Sequence, residues 1–158
     1  MASASDTLTI ARDDEVDRNL ALLGYGLMFF AIFFAGVPAL IAVAIAYARM
    51  RNTDCAVKSH FRFQKFIFWV GFALTLLAAL AGLAALVLLA GEIIRGVMDG
   101  RWDSWDTVAF SQVHVAAVLA LTGVAGVLAV LTGAWLMATS AYGFILLASR
   151  QSIRQTAH

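Results

Sequence analysis

Three stretches of this chain carry no charge at all, and their lengths restrict what it can fold into. Leu20–Ala48 runs for about 29 residues without Asp, Glu, Lys or Arg, Phe66–Gly91 for about 26, and Val108–Ser149 for about 42. A helix in water needs a polar face, and none of these stretches supplies one. A helix crossing a bilayer needs only roughly 20 apolar residues. The sequence therefore predicts an all-α, polytopic transmembrane helical bundle. Composition agrees: 62% of residues are hydrophobic and 13% charged, where soluble domains sit near half and a quarter. The net charge of +1 carries no sign of a nucleic-acid partner, because the cations cluster where a bilayer edge would want them. The lipid bilayer is the first partner implied.

Taken in order, residues 1–19 read as a flexible acidic tail whose second half leads into a helix. Asp13, Asp14, Glu15 and Asp17 precede the apolar run, which is the wrong sign for the start of a signal peptide. The domain proper is 20–149, and 150–158 is a short basic tail. Gly36-Val37-Pro38 interrupts the first run, and proline removes a backbone donor inside a helix. Two arrangements follow: one tilted span kinked at Pro38, or two half-helices that enter and leave by the same face. The kinked span is the primary expectation, since the part after Pro38 is short for a crossing. The last run is twice a normal span. It is expected to be one long helix, the alternative being a hairpin turning at Thr132-Gly133 that raises three spans to four.

Between the first two runs lies Arg49–Lys65, with Arg49, Arg51, Lys58, Arg62 and Lys65 against Asp54: five of the chain's eleven basic residues. The positive-inside rule puts this segment on the cytoplasmic side. Aromatic rings and long amines suit a bilayer edge, so His60, Arg62, Lys65 and Trp69, with Arg49, Arg51 and Lys58, are candidate interface and lipid-headgroup residues. Glu92–Thr107, poorer in cations, is expected outside, with Trp102 and Trp105 as anchors. The C-terminal tail is then cytoplasmic and the N-terminus periplasmic. Cys55, the single cysteine, excludes an internal disulfide framework and a cysteine zinc site.

Small residues fall on helical stripes in the later runs. Gly71, Thr75, Ala78, Gly82 and Ala85 form one; Thr122, Gly126, Ala129 and Gly133 form another, resumed at Ser140 and Gly143. Such stripes let helices approach closely, which is how they associate in lipid.

Chemistry is sparse. His60 and His114 fall at opposite ends of the spans, about a hydrocarbon thickness apart, so they do not make a haem pair. His114 alone is a weak candidate for a pigment or haem, and a hydrogen bond between helices is the plainer reading. An ion- or proton-coupled transporter would keep an ionisable residue within its spans; the second and third runs have none beyond His114 at an edge. No hydrolase or phosphate-loop motif occurs, and Asp99, Asp103, Asp106 and Glu92 read as a solvated acidic loop. No enzyme and no cofactor are expected.

Ala46-Tyr47-Ala48-Arg49, then Ser59-His60-Phe61-Arg62-Phe63-Gln64, Phe68-Trp69, Gly71, and Trp135 followed by Gly143 resemble a family of uncharacterised bacterial integral membrane proteins. That family is distantly similar to the channel component of the chloroplast inner-envelope import translocon (Tic). The likeness covers most of Leu20–Ser149, with about a dozen specific positions. It implies a bacterial inner-membrane location and, in a translocon-like or small-solute channel, a conduit. The family pattern carries Arg-Thr where this chain has Phe66-Ile67, and an Arg where it has Thr139. Having lost those polar positions, the chain is expected to act as an accessory or scaffolding subunit, or an assembly partner in a complex or homo-oligomer. The channel is the alternative.

Overall fold

The computed structural model describes residues 4–50, 55–98 and 112–149, with side chains over 15–50, 57–98 and 114–149. Within these residues every element is helical: α1 (Ala4–Phe30), a 3-10 turn (Ala31–Phe34), α2 (Val37–Arg49), α3 (Cys55–Met98) and α4 (Gln112–Ala148). Three stretches, Glu15–Phe34, Val57–Met98 and His114–Ala148, are long and apolar enough to cross a membrane. Arg51, Trp102, Trp105, the acidic loop and the C-terminal tail lie outside the described residues. α1 already begins at Ala4, so helix runs through most of the segment expected to be a flexible tail.

The first apolar run is not a kinked span. Ala35 and Gly36 both take left-handed backbone, with φ of 50° and 81°. The Gly36 N–H donates back to the Ala31 carbonyl at 2.8 Å, a six-residue closure that ends a helix by satisfying a carbonyl the turn would otherwise strand. Pro38 then sits in the first turn of α2, where its missing N–H costs nothing. It starts a helix instead of bending one. The two helices run back along each other, burying Ala21, Tyr25 and Met28 of α1 and Ala39, Ala42, Val43 and Ala46 of α2. Both sets follow the three-and-four spacing of one helical face. At the open end Arg49 Nη1 stands 3.6 Å from Asp17 Oδ1. That is an ion contact too long for a hydrogen bond, and the nearly buried Asp17 oxygen has no hydrogen-bond partner. Residues 17 and 49 would be about 48 Å apart on one continuous helix, so α1 and α2 fold back on each other instead of forming one bent helix.

α4 is continuous through Thr132-Gly133. The Thr132 hydroxyl donates to the Leu128 carbonyl at 2.8 Å within its own helix, and no turn forms there.

The chain divides into two compact units, one of Met1–Gly71 with Gly133–His158 and one of Phe72–Thr132. The first holds the α1–α2 hairpin, the start of α3 and the end of α4. Its core gathers Ala21, Tyr25, Met28, Ala42, Ala46, Phe61, Ile67 and Leu147. The second holds the remainder of α3 and α4, whose leucines and valines are mostly exposed, Leu86 and Val130 among them. In lipid such exposure carries no penalty, since lipid tails are as apolar as leucine.

The reversal gives a direct prediction. Nothing lies within 4 Å of a Cβ added to Gly36, so Gly36→Ala tests backbone strain alone. It should cost roughly 1 kcal/mol in unfolding followed by circular dichroism in detergent. Ala35→Gly should leave stability equal or raise it. Equal, small effects at both positions would deny the left-handed turn.

Candidate functional site: a buried polar cluster

α3 buries one stripe near its start: His60, Phe61, Gln64, Ile67 and Gly71. Arg62 on the next position faces out, which is what a 100° step per residue requires. Two members of that stripe are polar and fully enclosed. Tyr25, His60, Gln64 and Ser140 are each no more than 1% exposed, so their polar groups must find partners inside the protein.

The Tyr25 hydroxyl lies 3.1 Å from His60 Nδ1 and 3.5 Å from the His60 carbonyl oxygen. Two tautomers satisfy this. Either the phenol donates to a bare Nδ1, or Nδ1–H donates to the phenol oxygen and the phenol proton goes to the carbonyl. The rings meet edge-on, 6.0 Å between centroids. One turn further along α3, Gln64 Nε2 donates to the Ala21 carbonyl at 2.6 Å. Its other amide atom, Oε1, has no partner, and neither does the Ser140 hydroxyl.

Two glycines make the approach possible. A Cβ on Gly24 would lie 2.7 Å from Gln64 Oε1, and one on Gly143 would run into the ring of Tyr25. Gly143 was expected to serve a helix stripe, and its close neighbour is a tyrosine ring from α1.

Around this cluster sits an aromatic belt. Trp69 Nε1 donates to the Tyr47 hydroxyl at 3.3 Å, and Lys65 Nζ lies 4.6 Å from the centre of the Tyr47 ring, a cation–π arrangement. Phe66 meets Trp135 edge-on at 6.0 Å and Phe63 meets Tyr142 at 6.4 Å. Ile67 beside Phe66 is fully buried, and the Thr139 hydroxyl donates to the Trp135 carbonyl at 2.5 Å.

The expected site residues scatter. His60, read as an interface residue at the water edge, is enclosed; its spacing of four from Gln64 puts both on the buried stripe. Lys58 and Lys65 are half-buried, and Arg62 and Trp69 exposed. A Cβ on Gly71 would sit 3.2 Å from Leu136, whereas one on Gly82 or Gly126 would meet nothing within 4 Å, and one on Gly133 only Ile32 at 3.9 Å. Thr75, Thr122 and Ala129 are exposed, Ala78 is half-buried and Ala85 buried. Tyr25 and Gln64 were missed by sequence reasoning. The signals were there: a tyrosine between two glycines in an apolar run, and a glutamine one turn after a histidine.

In the second unit His114 Nδ1 lies 2.9 Å from Glu92 Oε1, and Arg95 Nη1 lies 3.5 Å from the same oxygen. The histidine contact has ion-pair distance without hydrogen-bond alignment, so Nδ1 counts as unsatisfied. Glu92 thus faces a neighbouring helix, where sequence placed it in a solvated loop. Comparison with protein-family models, with curated proteins and with solved structures gave no match to this chain.

The steric claim is testable by suppression. Gly143→Ala should destabilise by about 1–3 kcal/mol through overpacking, measured by thermal unfolding in detergent. Adding Tyr25→Leu should recover part of that loss, because the two changes share one space. Simple additivity would show that Gly143 and Tyr25 do not meet. Separately, Tyr25→Phe, which removes the hydrogen bond between the phenol and His60, should cost about 1 kcal/mol. Gln64→Leu should cost less, since it also removes an orphaned oxygen.

Proposed function

We propose that this chain is a bacterial inner-membrane protein that serves as an accessory or scaffolding subunit, binding a partner membrane protein or a second copy of itself. The observation that carries this reading is the face of α4 at Thr122, Gly126 and Ala129. All three are exposed, and a Cβ on Gly126 would meet open space. A face of small residues permits another helix to approach closely, and close packing drives helix association in lipid.

The orientation follows from charge. Arg49, Lys58, Arg62 and Lys65 favour the cytoplasmic side. Because α1 and α2 run back to back, the reading carries the N-terminal tail to that same side, reversing the periplasmic N-terminus expected from a kinked span. α3 then crosses outward and α4 returns.

Purification in mild detergent should yield an oligomer or a co-purifying membrane protein at fixed ratio. Gly126→Leu should reduce that association at least tenfold, while Gly82→Leu, on a half-buried part of α3, should act more weakly. A monomer with no companion, unchanged by Gly126→Leu, would remove the reading.

A further inference from the structure

Away from the buried cluster, the first unit carries a polar constellation on its surface. Tyr47 near the end of α2 and Trp69 on α3 are 51% and 54% exposed. The Trp69 indole N–H donates to the Tyr47 phenol oxygen at 3.3 Å. Lys65 Nζ stands 4.6 Å from the centre of the same phenol ring. Lys65 and Trp69 are four residues apart on α3 and so share one face of it. Arg62, three residues before Lys65 on that side, is exposed as well.

These contacts leave donors unspent. An ammonium has three N–H donors and no acceptor, while a phenol can both give and take a hydrogen bond. The Tyr47 oxygen takes one bond from Trp69, and its own proton has no acceptor among the described residues. Lys65 meets the ring and no carboxylate among those residues. A ring face attracts a cation without neutralising it. A full positive charge and a hydroxyl donor therefore stand side by side with no acceptor, which is the complement of an anion with several oxygens.

The surface next to the donors selects the source of that anion. Counting back from Tyr47 in steps of three and four, Ala44 and Leu40 fall on the same face of α2, and both are exposed. An apolar strip thus leads from the donors towards the reversal at Gly36. A free phosphate gains nothing from such a strip. A phospholipid carries its phosphate at the water edge and its acyl chains below it. On the membrane-embedded reading, Arg62 and Lys65 mark the level of the headgroups, and the strip lies against hydrocarbon.

We infer that Tyr47, Lys65 and Trp69 form a site for one anionic phospholipid. Its phosphate oxygens accept hydrogen bonds from the Lys65 ammonium and the Tyr47 hydroxyl, and an acyl chain lies along Ala44 and Leu40. Trp69 acts through Tyr47: by donating to the phenol oxygen it fixes the ring and leaves the phenol proton for the phosphate. The site rests on the chain being membrane-embedded, and it is independent of whether α4 binds a partner.

The test is native mass spectrometry of the delipidated full chain, titrated with dioleoyl phosphatidylglycerol or dioleoyl phosphatidylcholine. The wild type should take up one phosphatidylglycerol in preference to phosphatidylcholine. Lys65→Gln should weaken the phosphatidylglycerol adduct about fivefold, the equivalent of about 1 kcal/mol for one cation near the surface. Lys65→Arg, which keeps the charge, should retain the adduct, so that the loss in Lys65→Gln is one of charge and not of fold. Tyr47→Phe keeps the ring under Lys65 and should weaken both lipids about fivefold, since both present the same phosphate. Lys58→Gln, which removes another cation of the basic segment, should leave the adduct unchanged. Equal losses from Lys58→Gln and Lys65→Gln, or an undiminished adduct in Tyr47→Phe, would overturn the site in favour of diffuse attraction to charge. Displacement of the lipid by excess inorganic phosphate would overturn the phospholipid assignment. Release of the chain from membranes by alkaline carbonate would overturn the embedding and the site with it, whereas retention with equal adducts in wild type and Tyr47→Phe would overturn the site alone.

Discussion

A chain that reverses in an apolar surrounding must satisfy, from its own atoms, every backbone group the turn sets free. Wherever water is excluded, each orphaned group costs several kcal/mol. Here the burden falls on Ala31–Gly36. The 3-10 turn tightens the end of α1, two left-handed residues swing the backbone around, and the Gly36 N–H returns to the Ala31 carbonyl. Ala35 in this conformation is unfavourable by about 1–2 kcal/mol. Its place is held because this turn lets the Gly36 N–H close on the Ala31 carbonyl and brings α2 back along α1. Once the turn is made, Pro38 falls where α2 can begin and the alanine face of α2, Ala39, Ala42 and Ala46, is buried.

The hairpin also sets the chemistry of the first unit. It presents Tyr25 towards α3 and α4, where His60 and Gly143 receive it. Hydrogen bonds of this kind contribute about 1 kcal/mol net when made, and more is lost when one partner is left alone. The cluster therefore acts as a registration device. A slip of one residue along α3 would turn His60 and Gln64 out of reach of Tyr25 and Ala21 and leave buried polar atoms without partners. The two atoms that already lack partners, Gln64 Oε1 and the Ser140 hydroxyl, stand out against that background.

Much of this was legible in the sequence. Uncharged runs longer than a bilayer is thick announced long apolar helices, and three such stretches form. What was not legible has physical causes. Pro38 was an ambiguous signal, because proline both kinks a helix from within and starts one from its first turn; the deciding residue, Ala35, has no feature that advertises positive φ. His60 looked like an interface residue because its neighbours Lys58 and Arg62 are charged, yet helical spacing turns it inward with Gln64. Gly143 was read as part of a small-residue stripe, and only the position of Tyr25 shows what that missing side chain admits. Glu92 seemed to belong to the acidic loop after it until His114 placed it between helices.

The fold-back of the first apolar run is the claim on which the cluster and the side of the N-terminus both depend. It can be measured by cross-linking. With Cys55→Ser removing the native thiol, Asp17→Cys and Arg49→Cys should be joined within one chain by a short bis-maleimide in intact membranes, giving a faster band on a denaturing gel. The pair Asp17→Cys and Phe34→Cys should not be joined. Failure to cross-link 17 with 49, together with labelling of those two positions from opposite sides of the membrane, would contradict the hairpin and restore a single kinked span.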